Sequence, residues 1–242
     1  MNFFERFRET QRPYCTAVVA AAGSSSRMGA LGNKLLLELD GIPVLARALM
    51  ALDAAGWVDA IVIAAQEAEI LSFSELCRTY GIRKPVKIVK GGANREASVL
   101  CAALEADPQT RLIAVHDGAR PFAEPELIDR VIQKAARCNA AAPAIPVKDT
   151  IKQAEGEQVT ATLERSQLRA IQTPQVFEAD LLKAALQAAL DSGAALTDDC
   201  SAVERLGKIV YLVDGDEENI KITTPLDLVI GTAILEERRR RR

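Results

Sequence analysis

A chain of 242 residues with 49% apolar side chains has room for one medium-sized core, and no apolar run in it approaches the roughly 18 to 20 residues of a membrane helix. Its net charge of -3 argues against a generally basic surface for nucleic acid. Five cysteines stand singly at positions 15, 77, 101, 138 and 200, without the C-x-x-C pairs of zinc knuckles or redox couples, and are expected to be reduced and mostly buried. The amino terminus, "MNFFERFRETQRPY", is charged and carries no apolar leader core, so a soluble cytoplasmic protein is expected.

Short β-prone apolar runs then alternate with amphipathic stretches. The runs are "TAVVAA" at 16 to 21, "AIVIAA" at 60 to 65, "VKIVK" at 86 to 90, "RLIAVH" at 111 to 116 and "AAPAIPV" at 141 to 147. Pro43 opens one helix with Val44, Leu45, Ala48, Leu49 and Leu52 on a single face. Pro125 opens another with Leu127, Ile128, Val131, Ile132 and Ala135 inward, since proline at the first helical position forgoes no hydrogen bond. From 147 to 166 the pattern breaks. "VKDTIKQAEGEQVTATLERS" is polar and turns at "AEGEQ", which predicts a hairpin leaving the body. A helix is expected from about 178 to 191, a strand at "KIVYLV", and a last helix from Pro225 behind a Thr223-Thr224 cap. Strands apolar on both faces and separated by helices belong in a mostly parallel twisted sheet covered on both sides, with ligands at the carboxyl ends of the strands. The fold class is therefore α/β, Rossmann-like, with a protruding β-arm. Residues 1–242 are expected to form one domain. The closing "EERRRRR" reads as a frayed, solvated end, because like charges repel and nothing apolar anchors them.

The loop after the first strand, "GSSSRMGALGNK", offers glycines, backbone amides and the cations Arg27 and Lys34, a set suited to polyphosphate. It lacks both the G-x-G-x-x-G dinucleotide fingerprint and the G-K-[ST] ending of a P-loop. Asp117, in "HDGARPF", falls at a strand end, where a carboxylate could hold a ribose hydroxyl or a divalent cation; a turn role is the local alternative. His116 is the only histidine and reads as structural. Arg165 in "LERSQL" and Lys221 in "NIKITTP" are ordinary surface charges when taken singly.

Taken together, "AAAGSSSRMG" with "NK", "GGANREASV", "HDGARP", "PVKDTIK", "TPQVF" and "ENIKITTPLDL" occur in the order found in one enzyme family. The chain resembles 2-C-methyl-D-erythritol 4-phosphate cytidylyltransferases from about residue 16 to 236. The resemblance implies a nucleotidyltransferase fold and a reaction in which CTP and 2-C-methyl-D-erythritol 4-phosphate give the diphosphocytidyl product and pyrophosphate, in the non-mevalonate isoprenoid pathway. It implies that Arg27 and Lys34 stabilise the transferring phosphates, that Ala21, Ala22 and Gly23 line the nucleotide, and that Gly92, Ala93 and Ser98 lie beside cytosine. Asp117 and Gly118 match the ribose and the active-centre strand end. Thr150, Arg165, Thr173 and Lys221 match positions that hold or orient the acceptor phosphate. Also implied are a homodimer whose 147–166 arm reaches across the interface and Mg2+ carried mainly by the CTP phosphates, with no dedicated protein metal site. Leu35 stands where the family often has glutamine and Ala20 where some members have proline, so the packing around Lys34 is the open point. The chain ends soon after "TTPLDL", and no fused downstream cyclase is expected.

The chemistry suits the residues. A phosphate monoester has a second pKa near ~6 and is largely dianionic at neutral pH, so it needs little help from a base. Repulsion between two anions is the obstacle, and convergent cations answer it. Three alternatives stay open: a cytidylyltransferase for a pentitol phosphate such as ribitol 5-phosphate, a non-catalytic nucleotide-binding module, and a Rossmann oxidoreductase, the last disfavoured by the missing fingerprint.

Overall fold

The computed structural model describes residues 12–23 and 33–241. Among these residues an 8-stranded sheet forms the centre, in the order β10-β7-β11-β6-β1-β4-β5, with β12 also paired to β7. Its strands are β1 (Cys15–Ala20), β4 (Ala60–Ala65), β5 (Val86–Lys90), β6 (Leu112–Asp117), β7 (Ala140–Pro146), β10 (Arg169–Ile171), β11 (Gln175–Glu178) and β12 (Tyr211–Asp214). Strands β5, β4, β1 and β6 run parallel, whereas β11 is antiparallel to both β6 and β7, and β10 is antiparallel to β7. The sheet is thus mostly parallel, as the sequence pattern predicts, with β10 and β11 the antiparallel strands towards one side.

Alternation along each strand divides the core in two. Ala17 and Val19 of β1 face one cluster and Val18 the other; Ile61 and Ile63 of β4 oppose Val62 and Ala64 in the same way. The first cluster packs α1 (Val44–Ala54), α2 (Ile70–Thr79) and α4 (Pro125–Cys138) through Leu45, Leu49, Phe73, Ile128 and Ile132. The second packs α3 (Arg95–Leu104), α5 (Ala179–Asp191) and α6 (Asp199–Arg205) through Val99, Leu182, Leu186 and Val203. Truncating one such buried leucine to alanine costs about 2 to 5 kcal/mol. Covering both faces this way fixes the strand register and leaves the carboxyl ends of the strands as the open edge.

The predicted hairpin is present. β8 (Lys152–Glu155) and β9 (Gln158–Thr162) form a separate two-stranded sheet, and Gly156 supplies the left-handed conformation of its turn at φ 57°. A smaller ladder, β2 (Glu38–Leu39) with β3 (Ile42–Pro43), leads into α1.

The carboxyl end corrects the sequence reading. Helix α7 (Pro225–Arg240) carries Arg238, Arg239 and Arg240 of the arginine run, and among the described residues the run is docked rather than frayed. Arg238 pairs with Glu124 and Glu218, Arg239 with Asp40, and Arg241 with Glu218. Carboxylates far away in sequence absorb the like-charge repulsion that argues for a solvated tail, and cations at the end of α7 also suit the negative end of its dipole. No helix among the described residues is long and apolar enough to cross a membrane.

Candidate active site

The chain passes from β1 through β4 and β5 and then returns to place β6 on the other side of β1. That reversal opens a crevice at the carboxyl ends of β1 and β6, where ligands bind in open α/β sheets. A cavity of about 460 Å³ occupies it, within the range of small-molecule sites. Four strand ends build its wall. Ala20 ends β1 and Ala21 to Gly23 follow it, Gln66 follows β4, Gly92 to Arg95 follow β5, and Asp117 ends β6; Lys34 and Lys221 also line it, with Leu35, Ser98 and Ala119.

Backbone hydrogen bonds fix these loops. Ala21 N–H donates to the Ala64 carbonyl at 2.9 Å and Gly91 N–H to that of Ala65 at 2.8 Å, which carries the sheet ladder one step beyond the strands. Ser98, buried on α3, accepts from Gly92 N–H at 3.1 Å and donates to the Asn94 carbonyl at 2.7 Å. A Cβ on Gly92 would come within 2.4 Å of the Ala97 Cβ, so only glycine lets this loop lie against the helix start. Asn94 caps that helix by accepting from Ala97 N–H at 2.8 Å. Beside Lys34, Leu35 is buried in the core and its carbonyl accepts from Leu45 N–H at 3.0 Å. The leucine that stands in place of the family's frequent glutamine thus anchors the segment carrying the lysine.

Asp117 is the electrostatic centre. One carboxylate oxygen lies 2.8 Å from Lys221 Nζ and 3.7 Å from Arg120 Nε, and the other lies 3.5 Å from Arg95 Nη2. Burial opposes its ionisation, but the charges of Lys221, Arg95 and Arg120 outweigh that and hold its carboxyl far below the usual carboxylate range. Arg95 also pairs with the buried Asp199 at 2.7 Å. Burial pushes the Asp199 carboxyl up while Arg95 opposes it.

Behind Asp117 stands a buried relay. His116 Nε2 lies 3.1 Å from the Arg120 carbonyl, which can only accept, so that nitrogen is the donor. Burial lowers the histidine pKa to about 4, and the neutral ring's Nδ1 then accepts from the Thr173 hydroxyl at 3.0 Å. Thr173 Oγ1 in turn accepts from Asp117 N–H at 3.1 Å. His116 is therefore structural, as its sequence setting suggests, and Thr173 sits behind the carboxylate rather than in the cavity wall. Gly118 is also behind the wall: a Cβ there would lie 3.0 Å from Leu45 Cδ1 and 3.3 Å from Val19 Cγ1.

The structure brings Ala21, Ala22, Gly23, Lys34, Gly92, Ala93, Ser98, Asp117 and Lys221 to one cavity. Arg27 lies outside the described residues. Thr150 and Arg165 are exposed on the arm and do not line the cavity; Arg165 Nη1 donates to the Lys148 carbonyl at 2.6 Å. The sequence reading passes over Arg95, although it belongs to "GGANREASV", and over Arg120 and Asn219. The cap at Asn94 was the available signal, because it places Arg95 in the first turn of a helix at the mouth of the crevice.

Comparison with known proteins agrees with this geometry. The family model described as "IspD: 2-C-methyl-D-erythritol 4-phosphate cytidylyltransferase" matches residues 15–237. A curated protein of that name from Bacillus cytotoxicus is 45% identical over 225 residues, 93% of this chain and 99% of its own length; one from Halalkalibacterium halodurans is 45% identical over 226 residues, with the same coverage. Among solved structures, the 4-diphosphocytidyl-2C-methyl-D-erythritol synthase of Anaerococcus prevotii superposes with a TM-score of 0.83 at 30% identity, covering 93% of this chain and 100% of that one. The 2-C-methyl-D-erythritol 4-phosphate cytidylyltransferase of Thermus thermophilus gives 0.73 at 32% identity, over 91% of this chain and 98% of the other. The chain belongs to the 2-C-methyl-D-erythritol 4-phosphate cytidylyltransferase family.

Proposed function

We infer that the protein transfers the cytidylyl group of CTP to 2-C-methyl-D-erythritol 4-phosphate, releasing pyrophosphate and 4-diphosphocytidyl-2-C-methyl-D-erythritol, a step toward isoprenoid precursors. Beyond family membership, the observation that carries this reading is the single cavity in which Lys34 and Lys221 meet glycine-bearing loops and the ionised Asp117. An oxygen of the acceptor phosphate forms the new bond to the α-phosphorus of CTP. The bond from that phosphorus to the β-bridging oxygen breaks, and its electron pair leaves with pyrophosphate. The nucleophile is already an anion at neutral pH, so the neutral, enclosed His116 is not required as a base.

Each residue has a definable share. Lys34 and Arg27 hold the triphosphate and offset the charge that builds on the transferring phosphoryl group. The backbone at Ala21 to Gly23 packs along the nucleotide, and Gly92, Ala93 and Ser98 shape the side taken by cytosine. Asp117 pairs with Lys221 and Arg95 and orients them, and it faces the ribose end of the site. Lys221, Thr150 and Arg165 hold the acceptor phosphate, with Thr173 orienting the strand end from behind. One carboxylate already surrounded by three cations is a poor cage for a metal, a donor set that suits Mg2+ carried by the CTP phosphates with few protein ligands. When bound, Mg2+ would neutralise phosphate charge.

The working unit we propose is a homodimer in which the 147–166 arm of one protomer completes the site of its partner. Support comes from the arm itself: two strands alone are marginal in water, and this hairpin leaves Ile151, Val159 and Leu163 exposed. The free cysteines suit a reducing compartment and a cytoplasmic enzyme. Pyrophosphate release measured with CTP and either 2-C-methyl-D-erythritol 4-phosphate or ribitol 5-phosphate tests the reading. Acceptor-dependent release with a higher kcat/KM for the first is expected; preference for the second reassigns the acceptor, and CTP binding without release under either condition rejects the enzyme.

A further inference from the structure

Lys221 stands on a segment, 215–223, that has no helix or strand of its own. From inside the molecule the segment is held by several hydrogen bonds: Gly215 N–H donates to the Ala144 carbonyl at 2.9 Å, Gln172 Nε2 to the Asp216 carbonyl at 2.7 Å and Asn219 Nδ2 to the Thr173 carbonyl at 3.0 Å. Asp216 N–H donates to Gln172 Oε1 at 3.1 Å, Arg120 Nη1 donates to the Asn219 carbonyl at 2.6 Å, and Ile222 N–H donates to the Ala119 carbonyl at 2.8 Å. From outside it is held through Glu218 by the end of α7. Arg238 Nε donates to one Glu218 oxygen at 2.8 Å, and Arg241 Nη2 lies 2.9 Å from the other. Arg238 is itself fixed from three directions: its Nη2 donates to the Phe122 carbonyl at 3.0 Å, its guanidinium lies 5.6 Å from the centre of the Phe122 ring, and its Nη1 pairs with Glu124. Phe122 and Ile222 share one small core with Leu39 and Val44, so the arginine ties the lysine-bearing segment to a rigid body.

We propose that Arg238 is a positioning residue for the reaction, clamping Glu218 so that Lys221, three residues further on, is held at the cavity wall beside Asp117. The family match ends at residue 237, so the clamp comes from the part of the chain just beyond it. Its geometry favours a fixed position: a guanidinium held by two carboxylates, a carbonyl and a ring face has little freedom left, unlike a solvated surface pair. Partner charge also acts on the clamped group, since the hydrogen bond from Arg238 is the foremost cause holding the Glu218 carboxyl below its ordinary range. The consequence for catalysis rests on the reading that Lys221 acts on the acceptor phosphate.

The full chain tests this with Glu218→Gln, which weakens the clamp while leaving Arg238 on Glu124 and Phe122, and with Arg238→Ala. Arg240→Ala is the control, its partners lying on its own helix. Hydrogen exchange should quicken at residues 218–222 in both clamp variants and not in β6. Steady-state kinetics should show kcat/KM for 2-C-methyl-D-erythritol 4-phosphate falling by about tenfold, with KM for CTP changed by less than about twofold. Adding Glu218→Gln to Lys221→Ala should cost little beyond Lys221→Ala alone, because the clamp acts through the lysine. Wild-type exchange and kinetics in Glu218→Gln would overturn the clamp, as would a full additive loss on top of Lys221→Ala. Faster exchange at 218–222 with unchanged acceptor kinetics in Lys221→Ala as well would instead reject the assignment of Lys221 and, with it, the catalytic part of the proposal.

Discussion

The cavity and the arm are built on opposite plans. Around the cavity, each charged side chain is answered: Asp117 meets Lys221, Arg95 and Arg120, and Arg95 also meets Asp199, while Thr173 and His116 brace the strand end from the core. Along the arm, β8 is exposed at all four positions and β9 at four of five, and Arg165 donates to the Lys148 carbonyl of the arm itself. Preorganised charge in a half-buried crevice is the feature that lowers a barrier, and on the proposed reading this network belongs to one protomer. An exposed hairpin bearing Thr150 and Arg165 has the character of something supplied to a partner.

If that contrast holds, the most damaging change should be at the centre of the cavity. Asp117→Asn removes the charge that three cations share, leaving them to repel one another. Breaking such a buried arrangement costs about 3 to 5 kcal/mol, and kcat should fall by about a hundredfold or more, with a lower unfolding midpoint in urea. Lys34→Met should lower kcat by at least about tenfold at saturating substrates. The Arg27→Met variant is expected to behave in the same way. Unchanged kcat in both would remove these cations from the transition state.

Arg165→Ala sharpens the comparison from the other side. Acceptor KM should rise by about tenfold while calorimetry finds CTP affinity within about twofold of wild type; loss of CTP affinity with acceptor KM intact would move Arg165 to the nucleotide half. The smallest effect on catalysis is expected from His116, whose part is in stability. Its pKa, 6.5 ordinarily, is lowered to about 4 by burial, with Asp117, Arg120 and Lys221 facing it. In the unfolded chain it binds a proton first, so its contribution to stability is complete above about pH 6.5, falls as pH drops toward about 4, and amounts to roughly 3 kcal/mol over that window. Denaturant melts across the window should show a shallower pH slope in His116→Gln than in wild type, and equal slopes would exclude the relay as the cause.

Much of this arrangement was legible in the sequence, and the exceptions have physical reasons. β1, β4, β6 and β7 announce themselves because strands covered on both faces are continuous apolar runs, and β5, "VKIVK" at the sheet edge, by its alternation. β10 and β11 do not: "RAI" and "QVFE" are too short for a period and take their places through pairing with β6 and β7. Helix α6, seven residues long, depends on a capping box at Asp198 rather than on an apolar stripe. Lys34, Asp117 and Lys221 could be located from ordered motifs, yet the ion pairs that join Asp117 to Arg95 and Arg95 to Asp199 span 22 and 104 residues of chain, and no local pattern encodes them. The arginine tail was misread for the same reason, since Asp40, Glu124 and Glu218 lie far from it in sequence.

The claim that one protomer supplies the cavity and its partner the arm is tested most directly by coexpressing an Arg165→Ala chain with a Lys34→Met chain and purifying the mixed dimer. Exchange of arms puts both defects in one site and neither in the other, so pyrophosphate release should recover to about half of the wild-type rate per dimer. If each site belongs to a single chain, every site keeps one defect, and verified mixed dimers no more active than the two parent variants would contradict the account.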